Sequence, residues 1–175
     1  FSRKETSAGI AFMERSVQIA RAIGDTVKWT TQLLRLAPEL HESLMQRSFD
    51  LLDSAEQLAQ SLRDTSLWST VLITKGSNTY NRTGQYDPVS ALNAAELMNA
   101  WSGYAPEQYA AAISNAIVVC SEQHRYQELD RIIDGMAVRA ASRPGDSLLF
   151  GTLMLNRSLQ AKVRHDNEPA LAYAT

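Results

Sequence analysis

The sequence predicts an all-α fold in which antiparallel helix hairpins stack into a right-handed superhelical solenoid with a period of about 40 residues. The first observation is a shortage of turn-forming residues, since 175 residues include only 8 Gly and 5 Pro, and β-sandwiches and barrels need more. The second is apolar spacing in steps of three and four, as through residues 109–120, without alternation of period two. The third is an aromatic residue that recurs at spacings of 39, 41 and 41, at Trp29, Trp68, Tyr109 and Phe150.

The four aromatic residues define four units, each with one helix ahead of the aromatic position and one that follows it. Residues 23–29 and 62–68 both read aliphatic-x-Asp-Thr-x-x-Trp, which sets the register of the first two units. The leading helices are predicted at 16–23, 54–62, 92–98 and 129–141, and the following helices at 27–36, 66–82, 106–123 and 146–164.

Turn signals fall between these helices. Asp87 is a good N-cap for a helix that starts at Pro88, and Pro169 is equally suited to the first turn of a further helix. Pro38 is expected to shorten or kink the helix that carries Trp29. Turns are predicted at 82–88, 102–106, 122–128, 142–146 and 164–169.

A single helix hairpin has too little surface to bury its own apolar stripe, so the units must stack on one another. We therefore interpret residues 1–175 as a single repeat domain of about four hairpin units. The chain opens on Phe1 and stops within residues 170–175, partway into what should be another helix. We expect it to be a fragment of a longer protein.

Charge and composition exclude several classes of protein. The net charge of −2 gives no basic footprint for nucleic acid, and the longest apolar runs are far shorter than the ~20 residues that span a bilayer. A single cysteine, Cys120, favours a reducing, cytoplasmic location and reads as a small core hydrophobe.

No cofactor, metal site or catalytic centre is expected. His124 and His165 are 41 residues apart, but no third ligand completes a metal set with them or with His41. Cys120 precedes His124 by four residues, but there is no Gly-rich or oxyanion loop for nucleophilic catalysis. We expect that the chain is not an enzyme.

Residues 84–89, Gly-Gln-Tyr-Asp-Pro-Val, resemble the Gly-x-Tyr-x-x-Ala turn of tetratricopeptide repeats. Residues 20–25 and 58–64 are similar to the Leu-Ala-x-x-Leu-Gly-Asp phrase of longer-period members of that superfamily. Those members include the sensor domains of large bacterial ATP-dependent transcriptional activators of the maltose-activator type. The chain departs from the family in its period, which exceeds the usual 34 residues, and at Val89 and Leu129, where the family has alanine.

The resemblance implies a superhelix whose concave surface holds the ligand. In the 41-residue register, polar residues form columns on one face, where amides could bond a peptide backbone and Arg forks could hold carboxylates. An acidic or C-terminal peptide would fit; the alternative is that this is only the solvated side of amphipathic helices. The candidate binding residues are Thr74, Lys75, Asn78, Arg82, Asn115, Asn156, Arg157, Gln160 and Arg164.

Three functional hypotheses follow. The first is a non-enzymatic scaffold or sensor module of a larger bacterial regulator, which binds a protein or peptide on its concave face. The second is a small-molecule sensor whose groove takes a metabolite or sugar and controls self-association. The third is an architectural unit that forms homo-oligomers through its end units. None of the three involves a direct contact with nucleic acid or a membrane.

Overall fold

The computed structural model describes the backbone of residues 3–40, 42–103 and 105–172, and the side chains of residues 8–40, 42–103 and 105–162. These residues are all-α and contain no β-strand. The helices are α1 (Arg3–Ala22), α2 (Thr26–Glu39), α3 (Met45–Leu62), α4 (Thr65–Thr83), α5 (Pro88–Ala100), α6 (Pro106–Glu122), α7 (Tyr126–Ala141) and α8 (Ser147–Ala172), with a 3₁₀ turn at Glu42–Leu44.

The aromatic register corresponds to a fixed structural position. Trp29, Trp68, Tyr109 and Phe150 are each the fourth residue of the even-numbered helices α2, α4, α6 and α8. The described residues form eight α-helices, as predicted, and the recurring aromatic residue lies at the same position of every second helix.

Several predicted boundaries are wrong. α1 begins at Arg3 and α3 at Met45, far ahead of the predicted starts at residues 16 and 54. α8 continues through the turn predicted at 164–169. Pro169 and the repeat spacing favour a turn there, but the segment contains no glycine that would end a helix. α2 ends at Glu39, one residue after Pro38.

Aspartate caps mark the starts of α2, α4, α5 and α8. The carboxylates of Asp25 and Asp64 each accept the backbone N–H three residues on, at 2.9 Å, which satisfies a donor that the first helical turn leaves open. The N–H of Lys28 in this way holds the pKa of Asp25 below its usual value. Asp87 and Asp146 cap α5 and α8 by the same contact.

Left-handed residues end several helices. The backbone φ angle is 70° at Gly24 and 72° at Gly84, and it is also positive at Arg63 and His124. Glycine adopts this conformation without strain, whereas for a residue with a Cβ it costs conformational free energy.

The core consists of two apolar clusters. Residues of α4 to α8, among them Met98, Ile113, Ile133 and Leu153, form the larger cluster. A smaller one joins α2, α3 and α4 around Leu33. Trp68 packs against both clusters, so the core is continuous along the chain.

Helix packing follows the order of the chain. Each helix contacts the next, and α2, α4, α6 and α8 also contact one another in sequence, as do α5 and α7. Short connections place consecutive helices side by side. Contacts between nearest and next-nearest helices are compatible with a solenoid.

Two glycines inside helices should respond oppositely to replacement by alanine. A Cβ on Gly76 of α4 meets nothing within 4 Å, whereas one on Gly135 of α7 would lie 2.8 Å from Cγ of Asn99 and closer still to its Nδ2. We expect Gly76→Ala to raise the free energy of unfolding by about 0.5–1 kcal/mol through helix propensity. Gly135→Ala should lower it by about 1–3 kcal/mol through overpacking.

Urea denaturation of both variants beside the native chain measures these changes. Equal effects at the two positions would contradict the close approach of α7 to Asn99.

Candidate functional site

The nine polar residues predicted as a binding face lie on even-numbered helices, but they do not form one exposed surface. Asn78 and Asn156 are buried, at 4% and 6% exposure, where an exposed column was expected. Arg157 is exposed, and Arg164 lies outside the residues whose side chains are described. The set comprises Thr74, Lys75, Asn78 and Arg82 on α4, Asn115 on α6, and Asn156, Arg157, Gln160 and Arg164 on α8.

Asn78 and Arg82 belong to a network that joins α4 to α2 and α3. Asn78 donates from Nδ2 to Ser48 Oγ at 3.2 Å and accepts from Arg82 Nε at 3.0 Å. Ser48 donates to the carbonyl of Ala37 at 2.6 Å, and Arg82 donates to the carbonyl of Leu40 at 2.8 Å. These groups satisfy the carbonyls at the C-terminal end of α2.

Lys75 and Thr74 are also engaged. The ammonium of Lys75 lies 2.7 Å from Asp53 and 2.9 Å from Glu56, both on α3. Partial burial works against the charge of Lys75, but the hydrogen bonds to these two carboxylates outweigh it and raise its pKa. Thr74 donates to the carbonyl of Thr70 in its own helix.

The α8 residues of the predicted face turn toward α7. Asn156 Nδ2 lies 3.9 Å from the sulfur of Met136, and Gln160 donates to the carboxylate of Asp130. Asn115 on α6 is half-buried. The expectation of continuous, exposed Asn and Arg columns is therefore wrong, because the i, i+4 polar stripe packs against the preceding helix.

Sequence reasoning missed Arg139, which is only 6% exposed. Its guanidinium donates to the carbonyls of Met98, at 2.8 Å, Trp101 and Gly103 at the end of α5. It also lies 4.9 Å from the centroid of the Tyr109 ring. The available signal was an arginine enclosed by apolar residues on both sides, in Ala-Val-Arg-Ala-Ala.

A cleft lies beside each of these two arginines. One of about 450 Å³ is lined by Asn78, Asn81 and Arg82 together with the end of α2. Another of about 460 Å³ is lined by Arg139, Arg143 and the end of α5. In both clefts the guanidinium already donates to backbone carbonyls, so its first role is to close a helix end.

An apolar groove runs between α7 and α8. It has a volume of about 350 Å³, and Phe150 and Met154, 58% and 41% exposed, form one wall. Alanines of α7 form the opposite wall, and Arg157 is the charged residue among those described in the lining. The lining residues are Ala137, Ala140, Ala141, Pro144, Phe150, Leu153, Met154 and Arg157.

Phe150 differs in exposure from the other aromatic residues of the repeat register. Phe150 occupies the position of Trp29, Trp68 and Tyr109, which pack into the core or against it. Tyr109 lies on α6 and is 2% exposed. Arg139, on the following helix α7, lies over its ring. The Phe150 ring, in contrast, is 58% exposed.

The aromatic and titratable groups show no assembled reaction centre among the described residues. The Tyr80 and Tyr86 rings stack on each other at 4.3 Å, and His124 Nδ1 lies 2.7 Å from the Tyr126 hydroxyl on an exposed turn. The side chains of His41 and His165, and residue Tyr104, fall outside the described residues. The described part of the chain has no cluster of three metal-ligating side chains. Nor does any helix in it combine the length and apolarity that a membrane span requires.

Cys120 is a core residue, as predicted, with 0% exposure. Burial raises the pKa of its thiol to about 11. The thiol is therefore protonated, and a poor nucleophile, near neutral pH.

Comparison with protein-family models, with curated proteins and with solved structures finds no match to this chain.

Replacing Arg139 by lysine should destabilise the fold. The three N–H groups of an ammonium share one nitrogen and cannot reproduce the fork of Nη1 and Nη2 that reaches these carbonyls, so buried acceptors lose partners. We expect Arg139→Lys to lower the free energy of unfolding by about 2–4 kcal/mol in urea denaturation.

The control is Arg131→Lys, since the Arg131 side chain is 68% exposed and its replacement should change stability by less than about 0.5 kcal/mol. Equal, small effects of the two substitutions would show that the Arg139 contacts contribute little.

The thiol of Cys120 should be unreactive in the folded chain. Its folded pKa of about 11 lies above its unfolded value, so the native state holds this proton where the unfolded state releases it. The raised pKa of Cys120 stabilises the folded state fully at pH values below the unfolded pKa of the thiol. This stabilisation is lost as the pH rises toward 11.

We expect iodoacetamide to label Cys120 at pH 8 only after urea unfolds the protein, as measured by intact mass. Rapid labelling of the native chain would contradict the burial.

Proposed function

We propose that this chain is a non-enzymatic, tetratricopeptide-like binding module, and that it holds a helical segment of another protein in the groove between α7 and α8. The observation that carries the proposal is Phe150, an aromatic residue in the core register of the repeat that is nonetheless 58% exposed. A partner helix there would take the position that the next helix of a stack takes over Tyr109. We also propose that the stacked helices follow a right-handed superhelical path.

The walls of the groove suit a helix. Ala137, Ala140 and Ala141 are small, so a partner backbone can approach α7 closely, while Phe150 and Met154 offer apolar surface. Amphipathic helices bind in this mode by inserting residues spaced i, i+3 or i+4 and i+7 into an apolar groove.

Arg157 gives the groove a preference for charge. It is exposed and lies at the groove, where its guanidinium can pair with a carboxylate in a bidentate fashion. Charge complementarity of this kind selects among partners more than it adds affinity. We infer that the partner helix carries Asp or Glu beside its apolar stripe.

This site differs from the concave columns expected from the sequence. Asn78 and Asn156 are buried and Arg82 is bonded to α2, so we propose that the peptide binds at the groove, where Arg157 lies. The resemblance to sensor domains of bacterial transcriptional activators supports a role as one part of a larger cytoplasmic regulator.

A fluorescein-labelled model peptide tests the groove. The probe is an amphipathic helix with leucines at i, i+3 and i+7 flanked by glutamates, and its counterpart carries lysines in place of the glutamates. By fluorescence anisotropy, we expect the acidic peptide to bind more tightly, and Phe150→Ser to weaken it about tenfold, as for a central apolar anchor.

Two variants control this experiment. Phe12→Ser removes a phenylalanine that is 73% exposed on α1 and should leave binding unchanged. Arg157→Glu should shift preference toward the lysine peptide. Equal losses from Phe12→Ser and Phe150→Ser, or no difference between the two peptides, would contradict the proposal.

A further inference from the structure

The cleft at the end of α2 contains two opposite charges that do not contact each other. Arg82 of α4 and Glu42 of the 3₁₀ turn both line this cleft, whose volume is about 450 Å³. No ion pair joins the two side chains, so more than 4.0 Å separates their charged atoms. The described residues also form no hydrogen bond with the carboxylate of Glu42. The cleft therefore presents a cation and an anion, each of which can take a partner from solution.

The protein holds the guanidinium of Arg82 through two of its three nitrogen atoms. Nε donates to Asn78 Oδ1 at 3.0 Å, and Nη2 donates to the carbonyl of Leu40 at 2.8 Å. No described residue accepts a hydrogen bond from Nη1, which carries two further N–H groups. Because the orientation of the guanidinium is fixed in advance, little conformational entropy is lost when a ligand binds to it. A carboxylate is the acceptor that suits this geometry.

Two more residues of the lining are available to a ligand. Asn81 is exposed and has no hydrogen-bond partner among the described residues. Its Nδ2 can donate to the same carboxylate as its neighbour Arg82. Pro38, which is also exposed, adds an apolar surface to the cleft.

We propose that this cleft binds a free α-amino acid, with its carboxylate on Arg82 and Asn81 and its ammonium on Glu42. A ligand with only a carboxylate would be repelled by Glu42, and a ligand with only an ammonium would be repelled by Arg82. A zwitterion compensates both charges, and an aliphatic side chain can lie against Pro38. The volume of the cleft falls within the range of about 300–1,000 Å³ that is typical of small-molecule sites.

This site is separate from the groove between α7 and α8. The two linings share no residue, so each proposal can fail without the other. Arg82 would have two roles, since it closes the end of α2 with Nη2 and binds the ligand with Nη1.

NMR titration of the ¹⁵N-labelled chain with L-leucine tests the site. The backbone amides of Glu42 and Arg82 and the side-chain amide of Asn81 should shift, with a Kd of about 0.1–1 mM for a ligand of so few atoms. N-acetyl-L-leucine lacks the ammonium and L-leucinamide lacks the carboxylate, so each should bind about tenfold more weakly. The absence of shifts at the cleft, or equal affinity for all three compounds, would overturn the proposal.

Two variants assign the two ends of the ligand. Glu42→Gln should weaken L-leucine binding about tenfold, because the ammonium loses its carboxylate partner, but it should not weaken N-acetyl-L-leucine. Asn81→Asp should weaken L-leucine and N-acetyl-L-leucine alike, because it places a carboxylate beside that of the ligand, but it should not weaken L-leucinamide. Arg82 is kept in both variants because it also closes α2.

The matched controls are Glu39→Gln and Asn93→Asp, which make the same changes at exposed positions outside the cleft. Both should bind L-leucine as the native chain does, and so should Phe150→Ser, which alters the other groove. Equal losses in Glu39→Gln and Glu42→Gln, or in Asn93→Asp and Asn81→Asp, would overturn the proposal. Thermal unfolding by circular dichroism verifies that each variant is folded.

Discussion

The backbone carbonyls at the ends of α2 and α5 impose the constraint on which the rest of this fold depends. Helix ends that are covered by other helices need donors from elsewhere in the chain. Arg82 supplies them to α2 from two helices further on, and Arg139 supplies them to α5 across the same interval. Each guanidinium thereby links a helix to its next-nearest neighbour. In a stack of simple hairpins, apolar contact alone would join these two helices.

This constraint changes the meaning of the polar residues on α4 and α8. An amide or arginine at i, i+4 spacing has the same sequence pattern whether it faces water or a neighbouring helix end. In this chain Asn78 meets Ser48 and Arg82, and Asn156 meets Met136. Their bonds hold the stack together and leave Arg157 as the exposed member of the predicted set that lies at an open groove.

α8 differs from the earlier even-numbered helices because it presents apolar residues on two sides. Phe150 and Met154 face the groove beside α7, and Leu148, Leu155 and Leu159 are exposed on the other side. We propose a partner helix for the groove.

The sequence by itself determined the helical class, the four-unit register and the first turns, because Asp caps, Pro at helix starts and a recurring aromatic are local signals that need no neighbour. Cys120 as a core residue was equally readable from its apolar surroundings. The starts of α1 and α3, the continuation of α8 through residues 164–169 and the burial of Asn78 were not. Burial depends on which helix lies opposite a residue. Only the tertiary structure places Arg139 at the end of α5, because this contact joins residues far apart in the chain. The exposure of Phe150 likewise depends on which helices pack around it.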